Sequence, residues 1–223
     1  MTEKGANAGI GDLVALIVHD LRNPVATISA NVSFVREVAP DVHTDANEAL
    51  DDVEIALGDL GRGLEQLGWV GRWLSGKSAA DESPGDARGS IEEALRRVAD
   101  DDVTASSPDE PVSVHGGGAP LARLIELLVR NSRQHAKGPI IVRLTPDAVI
   151  EIEDRGRSVG ADLREKLFTL PGQLEIKTRV DGRYSRAVGL LAARALADAM
   201  SAELEVGGAD GAAVFRVRLS PAG

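Results

Sequence analysis

The sequence predicts an α+β chain: an N-terminal antiparallel helical hairpin followed by an α/β sandwich. Three observations carry this. Apolar residues recur at spacings of three and four through the first third of the chain, the mark of helices with one covered face. A small, polar stretch with Gly and Pro, "SGKSAADESPGDARGS" at 75–90, then breaks the pattern. Beyond it, period-two apolar segments alternate with helical ones. The boundaries expected are a hairpin over 9–76, a linker over 77–89 and a second domain over 90–220.

From Ile10 to Val38 the residues Val14, Ile17, Leu21, Val25, Ile28, Val32 and Val35 define one helix with a single buried stripe. Ala39 and Pro40 end it, because proline cannot continue the hydrogen-bond ladder. After a short polar loop, Asp45 and Glu48 make a capping pair for a second helix. Its stripe, Leu50, Val53, Leu57, Leu60, Leu64 and Leu67, is a heptad seam that wants another helix along its length. Two long helices joined by a short loop fold back on each other. Five glycines (58, 61, 63, 68, 71) interrupt the second helix. Each costs about 1 kcal/mol against alanine, so packing rather than propensity must hold it. Dimerisation into a four-helix bundle would supply apolar contacts that a lone hairpin lacks.

In the second domain Ser90 and Glu93 read as the cap of a new helix. Then come a short strand at "PVSVH", a helix from Pro120 to His135, strands at "IIVRLT" and "AVIEIED", and a short helix at "ADLREKL". A helix over 187–200 and closing strands at "AELEV" and "AVFRVRL" complete it. This order suits a mixed sheet covered by helices on one face.

Composition narrows the partners. Among 223 residues, 25 basic against 35 acidic side chains give a net charge of -10, which disfavours nucleic acid, whose phosphates want clustered Lys and Arg. There is no cysteine, so disulfides, thiolate metal sites and a Cys nucleophile are excluded. The longest apolar run, "LVALIV" at 13–18, is too short to span a bilayer, and no basic segment precedes an apolar one at the start. The expected location is cytoplasmic, with no membrane association. No group of His and carboxylates has metal-ligand spacing. His43 and His115 read as loop and strand-end residues, and His135 as a packing residue.

One stretch does not fit a merely structural helix. "HDLRNPV", 19–25, places a histidine, an acid, an amide and a proline together inside the first helix. At 100° per residue, His19 and Asn23 fall close together on nearly the opposite side from the apolar stripe, facing water. Asp20, one step round, can favour the imidazole tautomer needed for attack. Pro24 removes an amide, so the Asp20 carbonyl loses its helical partner and a bend is expected just below the histidine. A lone exposed histidine is usually a solvated polar residue. A helix that accepts the proline penalty beside an acid-flanked imidazole is a candidate functional site.

"HDLRNP" followed by an apolar residue resembles the phosphoacceptor box of the two-component histidine kinases. The resemblance implies that His19 is the nucleophile toward the terminal phosphoryl of ATP, with Asp20 as its acid/base partner. It implies that Asn23 can position a water for hydrolysing a partner's aspartyl phosphate. The likeness extends into the second domain, where it implies a histidine-kinase-type ATPase fold. "LARLIELLVRNSRQHA" is similar to the N box, whose asparagine, here Asn131, meets magnesium and the phosphates. "EIEDRGRSVG" resembles the first glycine box, in which Asp154 would take the adenine amino group and Gly156 would admit the backbone. "SRAVGLLAARALADAM" falls on the second glycine box, with Gly189 matching.

The sequence departs from the family at Gln134, where a basic residue is usual, and at Ser158, Ser185 and Ala187, which replace glycines. A phosphate cradle depends on bare backbone N–H groups, which side chains obstruct. Lys177, Arg179, Arg183 and Arg186 in the intervening lid could hold phosphates instead, or merely decorate a loop. The expected activity is therefore a homodimeric histidine kinase using ATP and Mg²⁺, autophosphorylating on His19 and donating to the receiver domain of a response regulator. The alternatives are a phosphotransferase that no longer uses ATP, favoured by the lost glycines, and a non-catalytic scaffold, disfavoured by the intact box. With fewer than ten residues before the first helix, no sensor domain is expected, and input would arrive through a partner.

Overall fold

Two long helices open the chain, α1 over Glu3–Val38 and α2 over Thr44–Leu74. The computed structural model describes residues 3–39, 44–77, 83–135, 138–155, 161–173, 188–208 and 212–222. α1 runs on through Pro24, and the Thr27 hydroxyl donates to the Asn23 carbonyl at 3.0 Å.

The two helices are pinned at both ends of their overlap. A Cβ placed on Gly11 would lie 2.6 Å from both the Gly71 carbonyl oxygen and the Ser75 nitrogen, so only glycine lets the backbones meet there. At the other end Arg36 donates to Glu54 at 2.8 Å and to Asp51 at 2.5 Å. Between these points Val18, Val32, Leu64 and Val70 are buried.

This seam corrects the sequence reading. Ile17, Leu21, Ile28 and Val35, expected in the buried stripe, remain 41–46% exposed, and Val53 and Leu60 on α2 are exposed as well. The covered row of α1 is Gly11, Val18, Val25 and Val32, seven residues apart. The exposed row lies about 60–100° further round the same helix. α1 thus carries a wider apolar arc than one partner helix can cover.

The second unit spans 78–223, against 1–77 for the hairpin. β1 (Pro84–Asp86) and the start of α3 (Ala87–Val98) occupy part of the stretch expected as linker. Asp86, not Ser90, caps α3, its carboxylate accepting from the Arg88 amide at 3.1 Å. Ser90 sits a turn inside, where its hydroxyl accepts from the Gly118 amide at 2.8 Å. β2 (Val103–Ser106) was not read from the sequence, because "VTAS" is short and carries a single large apolar residue. β3 (Ser113–His115) pairs antiparallel with β1.

The remaining elements are α4 (Ala119–His135), β4 (Ile140–Leu144), β5 (Val149–Asp154), α5 (Ala161–Arg164), α6 (Val188–Ala199), β6 (Glu203–Gly207) and β7 (Ala213–Arg218). The main sheet has the order β2-β4-β5-β7-β6, with β2 and β4 parallel and the other neighbours antiparallel. One face buries Val142, Ile150, Ile152, Phe215 and Val217 against Leu124, Leu128 and Leu196 of α4 and α6. The other face carries cross-strand ion pairs, Arg143 with Glu153 at 2.7 Å and Arg216 with Glu151 at 2.8 Å. This is the expected mixed sheet covered by helices on one side.

The glycines of the hairpin divide into two kinds, and substitution should separate them. Gly11→Ala must push the helices apart and is expected to lower stability by about 1–2 kcal/mol, overpacking outweighing the helix-propensity gain. Nothing lies within 4 Å of a Cβ on Gly61. Gly61→Ala should raise stability by about 1 kcal/mol. Urea unfolding followed by circular dichroism measures both.

Candidate functional site

His19 and its neighbours stand on the uncovered side of α1. The imidazole is 75% exposed and its Nδ1 lies 3.4 Å from Oδ1 of Asp20, itself largely exposed. A proton on Nδ1 facing that carboxylate leaves the Nε2 lone pair directed at solvent, the arrangement a nucleophile requires. Asn23, one turn on, is also exposed. The structure therefore brings His19, Asp20 and Asn23 together on one helix surface, as their spacing anticipates. Beside them a cavity of about 500 Å³ opens between α1 and α2, lined by Arg22, Val25, Ser29, Leu57 and Gly61 among others.

In the second unit the strand alternation that buries Ile150 and Ile152 puts Asp154 on the same covered face at the end of β5, where it is 2% exposed. A carboxylate seldom reaches such a position without a task, since burial of a charge costs several kcal/mol unless it is compensated. Asn131 is half-buried on α4, the helix that packs on β5. The next residue, Ser132, is fully buried, and its hydroxyl has no hydrogen-bond partner among the described residues. Gly189 is half-buried in the first turn of α6. Gly156, Ser158, Ser185 and Ala187 and all four lid cations fall outside the described residues. Among the described residues no group of His, Asp and Glu could hold a metal ion, and no helix is long and apolar enough to cross a membrane.

α4 is held in place by a charge network that sequence reading missed. Glu126, 3% exposed, accepts from Arg123 at 2.6 Å and from Arg130 at 2.9 Å. Arg130 also donates to the Arg97 carbonyl at the end of α3, and Arg133 binds Asp100 at 2.5 and 2.6 Å. The signal lay in the spacing, since Arg123, Glu126 and Arg130 are neighbours at i, i+3 and i+7 on one helix face. Asn131 is thereby fixed between two arginines anchored to α3 and the loop after it. Burial pushes the Glu126 carboxyl up, but the hydrogen bonds from Arg123 and Arg130 outweigh it and hold it below the usual carboxylate range. The Arg133 hydrogen bonds likewise lower Asp100.

Residues 116–222 match the family described as histidine kinase-, DNA gyrase B-, and HSP90-like ATPase. This region is a histidine kinase-like ATPase domain. The solved structure of full-length ShkA in complex with AMPPNP shares the fold at a TM-score of 0.72 and 14% identity. The likeness covers 95% of this chain and 46% of ShkA, so the chain spans about half of that protein's length. The Acinetobacter baumannii histidine kinase AdeS follows at 0.56 and 13%, covering 91% of this chain and 97% of AdeS. The mycobacterial sensor histidine kinase MprB stands at 0.51 and 18%, covering 63% of this chain and 99% of MprB. No curated protein sequence matches this one. At these identities the likeness to solved structures is one of fold. The family match lies within the second unit, and the likeness of fold to ShkA extends over the hairpin as well.

The Glu126 network yields a pH prediction. A carboxyl lowered in the folded state stabilises fully above its unfolded value, near pH 4.5, and that contribution is lost as pH falls through the folded value. Glu126→Gln should cost about 2–3 kcal/mol at pH 7, less than a fully buried pair because Arg130 reaches solvent. The deficit should shrink below about pH 4.5 in denaturant titrations compared across pH.

Proposed function

We propose that the chain is a two-component histidine kinase in which His19 is the phosphoacceptor. The observation that carries this reading is the exposed imidazole with Nδ1 toward Asp20, on a helical hairpin of a chain that also holds a histidine kinase-like ATPase domain. Nε2 attacks the terminal phosphorus of ATP in line, and the P–N bond forms as the bond to the ADP oxygen breaks. Asp20 keeps the Nδ1 proton in place and compensates the positive charge that the phosphorylated ring acquires. An aspartate oxygen of a response regulator's receiver domain then attacks the same phosphorus and releases the neutral imidazole. Asn23, exposed one turn away, would orient a water that attacks the receiver's aspartyl phosphate, releasing inorganic phosphate and the free aspartate.

In the ATPase domain the donor set fits a nucleotide. The buried Asp154 carboxylate is an acceptor for the adenine amino group, and Asn131 supplies a neutral oxygen ligand for Mg²⁺ beside the phosphates. Held there by Asn131, Mg²⁺ would supply positive charge against the phosphates. Gly156 and Gly189 are the positions at which the backbone would approach. A homodimer is part of the proposal: Ile17, Leu21, Ile28 and Val35 form an exposed apolar row on α1, and Val53 and Leu60 add to it on α2. Rows of this kind cost solubility unless a second hairpin covers them.

A second reading, a phosphotransferase that does not use ATP, is favoured by Ser158, Ser185 and Ala187 at glycine positions of the boxes. One experiment separates the two. The protein is incubated with γ-labelled ATP and Mg²⁺, and in parallel with a phosphorylated receiver domain. A kinase takes label from ATP, loses it in His19→Ala, and in Asp154→Asn loses uptake from ATP by about 100-fold or more while keeping uptake from the receiver. Label from the receiver alone marks the phosphotransferase. No label from either donor removes both readings.

A further inference from the structure

Two arginines of the hairpin near His19 lack a carboxylate partner among the described residues. Arg22 on α1 and Arg72 on α2 converge over Gly68: a Cβ built there would lie 3.6 Å from Nη2 of Arg22 and 3.7 Å from Nη1 of Arg72. The missing side chain at Gly68 is the space in which the two guanidinium groups approach. The same point is 3.8 Å from Cγ1 of Val18, the residue before His19, so the pair lies level with the phosphoacceptor along the hairpin. Round the circumference of α1, Arg22 falls about 40° from Val18 and His19 about 100°, which places Arg22 on the arc between the seam and the imidazole.

The other two arginines of the hairpin are paired. Arg36 has Asp51 and Glu54, and Arg62 has Asp59. Arg22 and Arg72 have no acidic partner among the described residues. Arg72 instead stacks on Trp69, 4.4 Å from its ring centroid, and the indole N–H of Trp69 is buried without an acceptor among those residues. Two guanidinium groups and one indole N–H thus gather as donors around Gly68. Burial, and then the nearby Arg22 charge, push the Arg72 guanidinium below its ordinary range, the direction expected where a counter-ion is wanting.

From this geometry we propose that Arg22 and Arg72 form a two-guanidinium oxyanion site that holds the phosphoryl group carried by His19. Planar guanidinium forks match phosphate oxygens in pairs, and two of them at the level of a phosphoacceptor would bind the three non-bridging oxygens while leaving the in-line direction open. The identification of the anion rests on the reading of His19 as phosphoacceptor. The existence of an oxyanion site does not.

The test separates these. Inorganic phosphate is titrated into the full chain at constant ionic strength against chloride, with the arginine Nε–H signals followed by NMR. Saturable shifts at Arg22 and Arg72 are expected, weakened about tenfold or more in Arg22→Gln and Arg72→Gln and retained in His19→Ala. In parallel, phosphoramidate donates its phosphoryl to His19, the P–N bond to ammonia breaking as the new P–N bond forms. Both Gln variants should slow this uptake by a similar factor, with helicity by circular dichroism unchanged. Arg22→Lys and Arg72→Lys keep the charge and should recover part of the loss. Phosphate shifts that do not saturate, or that persist in both Gln variants, overturn the site. Normal uptake on His19 in both variants overturns its role while leaving the phosphoacceptor reading intact. Phosphate binding without any uptake on His19 in the wild-type protein keeps the site and removes that reading.

Discussion

The backbone contact at Gly11 sets the terms for the whole hairpin. With no Cβ between them, α1 and α2 meet at Gly11, Gly71 and Ser75, and the Arg36 pairs with Asp51 and Glu54 fix the other end. A helix held at two points cannot rotate. Val18 and Val32 must then face α2, and His19, Asp20 and Asn23 must face away. The exposure of the imidazole is thus a consequence of packing two turns away. So is the placing of Arg22, which shares the seam's edge with Val18 and reaches across to Gly68 of α2.

The second unit expresses a different constraint, the alternation of a strand. Because Ile150, Ile152 and Asp154 share one face of β5, burying two branched chains under α4 also buries a carboxylate at the strand's end. α4 in turn is anchored not by its apolar face alone but by Glu126 and its arginines, which hold the helix against α3. Buried ion pairs add little net stability over apolar packing, but removing one partner is costly, which makes them strict about position. Asn131 inherits that position. Rigid elements that place a few polar groups are what a nucleotide site asks of a scaffold.

Much of this was legible in the sequence, for identifiable reasons. Helices as long as α1 and α2 declare themselves by period, and the strands of the main sheet by alternation, as in "AVIEIED" with Asp154 last. The solvent-facing side of α1 follows from angular spacing, and His19 and Asn23 are exposed. Which apolar residues are covered was not legible. Ile17 and Leu21 read as seam because periodicity reports an apolar arc and says nothing of how wide a partner will cover it. β2 escaped because "VTAS" gains its strand from pairing with β4, a contact over 30 residues away in sequence. The Ser90 cap failed because Asp86 offers a carboxylate one turn earlier, and the Ser90 hydroxyl serves the Gly118 amide instead. The Arg22 and Arg72 pair could not be read at all, since it is made by two helices crossing at a glycine.

Phosphoryl transfer demands little covalent invention of a protein beyond a nucleophile correctly aimed. The account turns on which nitrogen of one ring does the aiming. Phosphorus-31 and nitrogen-15 NMR of the phosphorylated chain, with isotope label in histidine, reads the bond directly. The account predicts an acid-labile phosphoramidate on Nε2 of His19, with Nδ1 still protonated toward Asp20. Phosphorus on Nδ1 of His19, or on any other residue of the chain in its place, would contradict it.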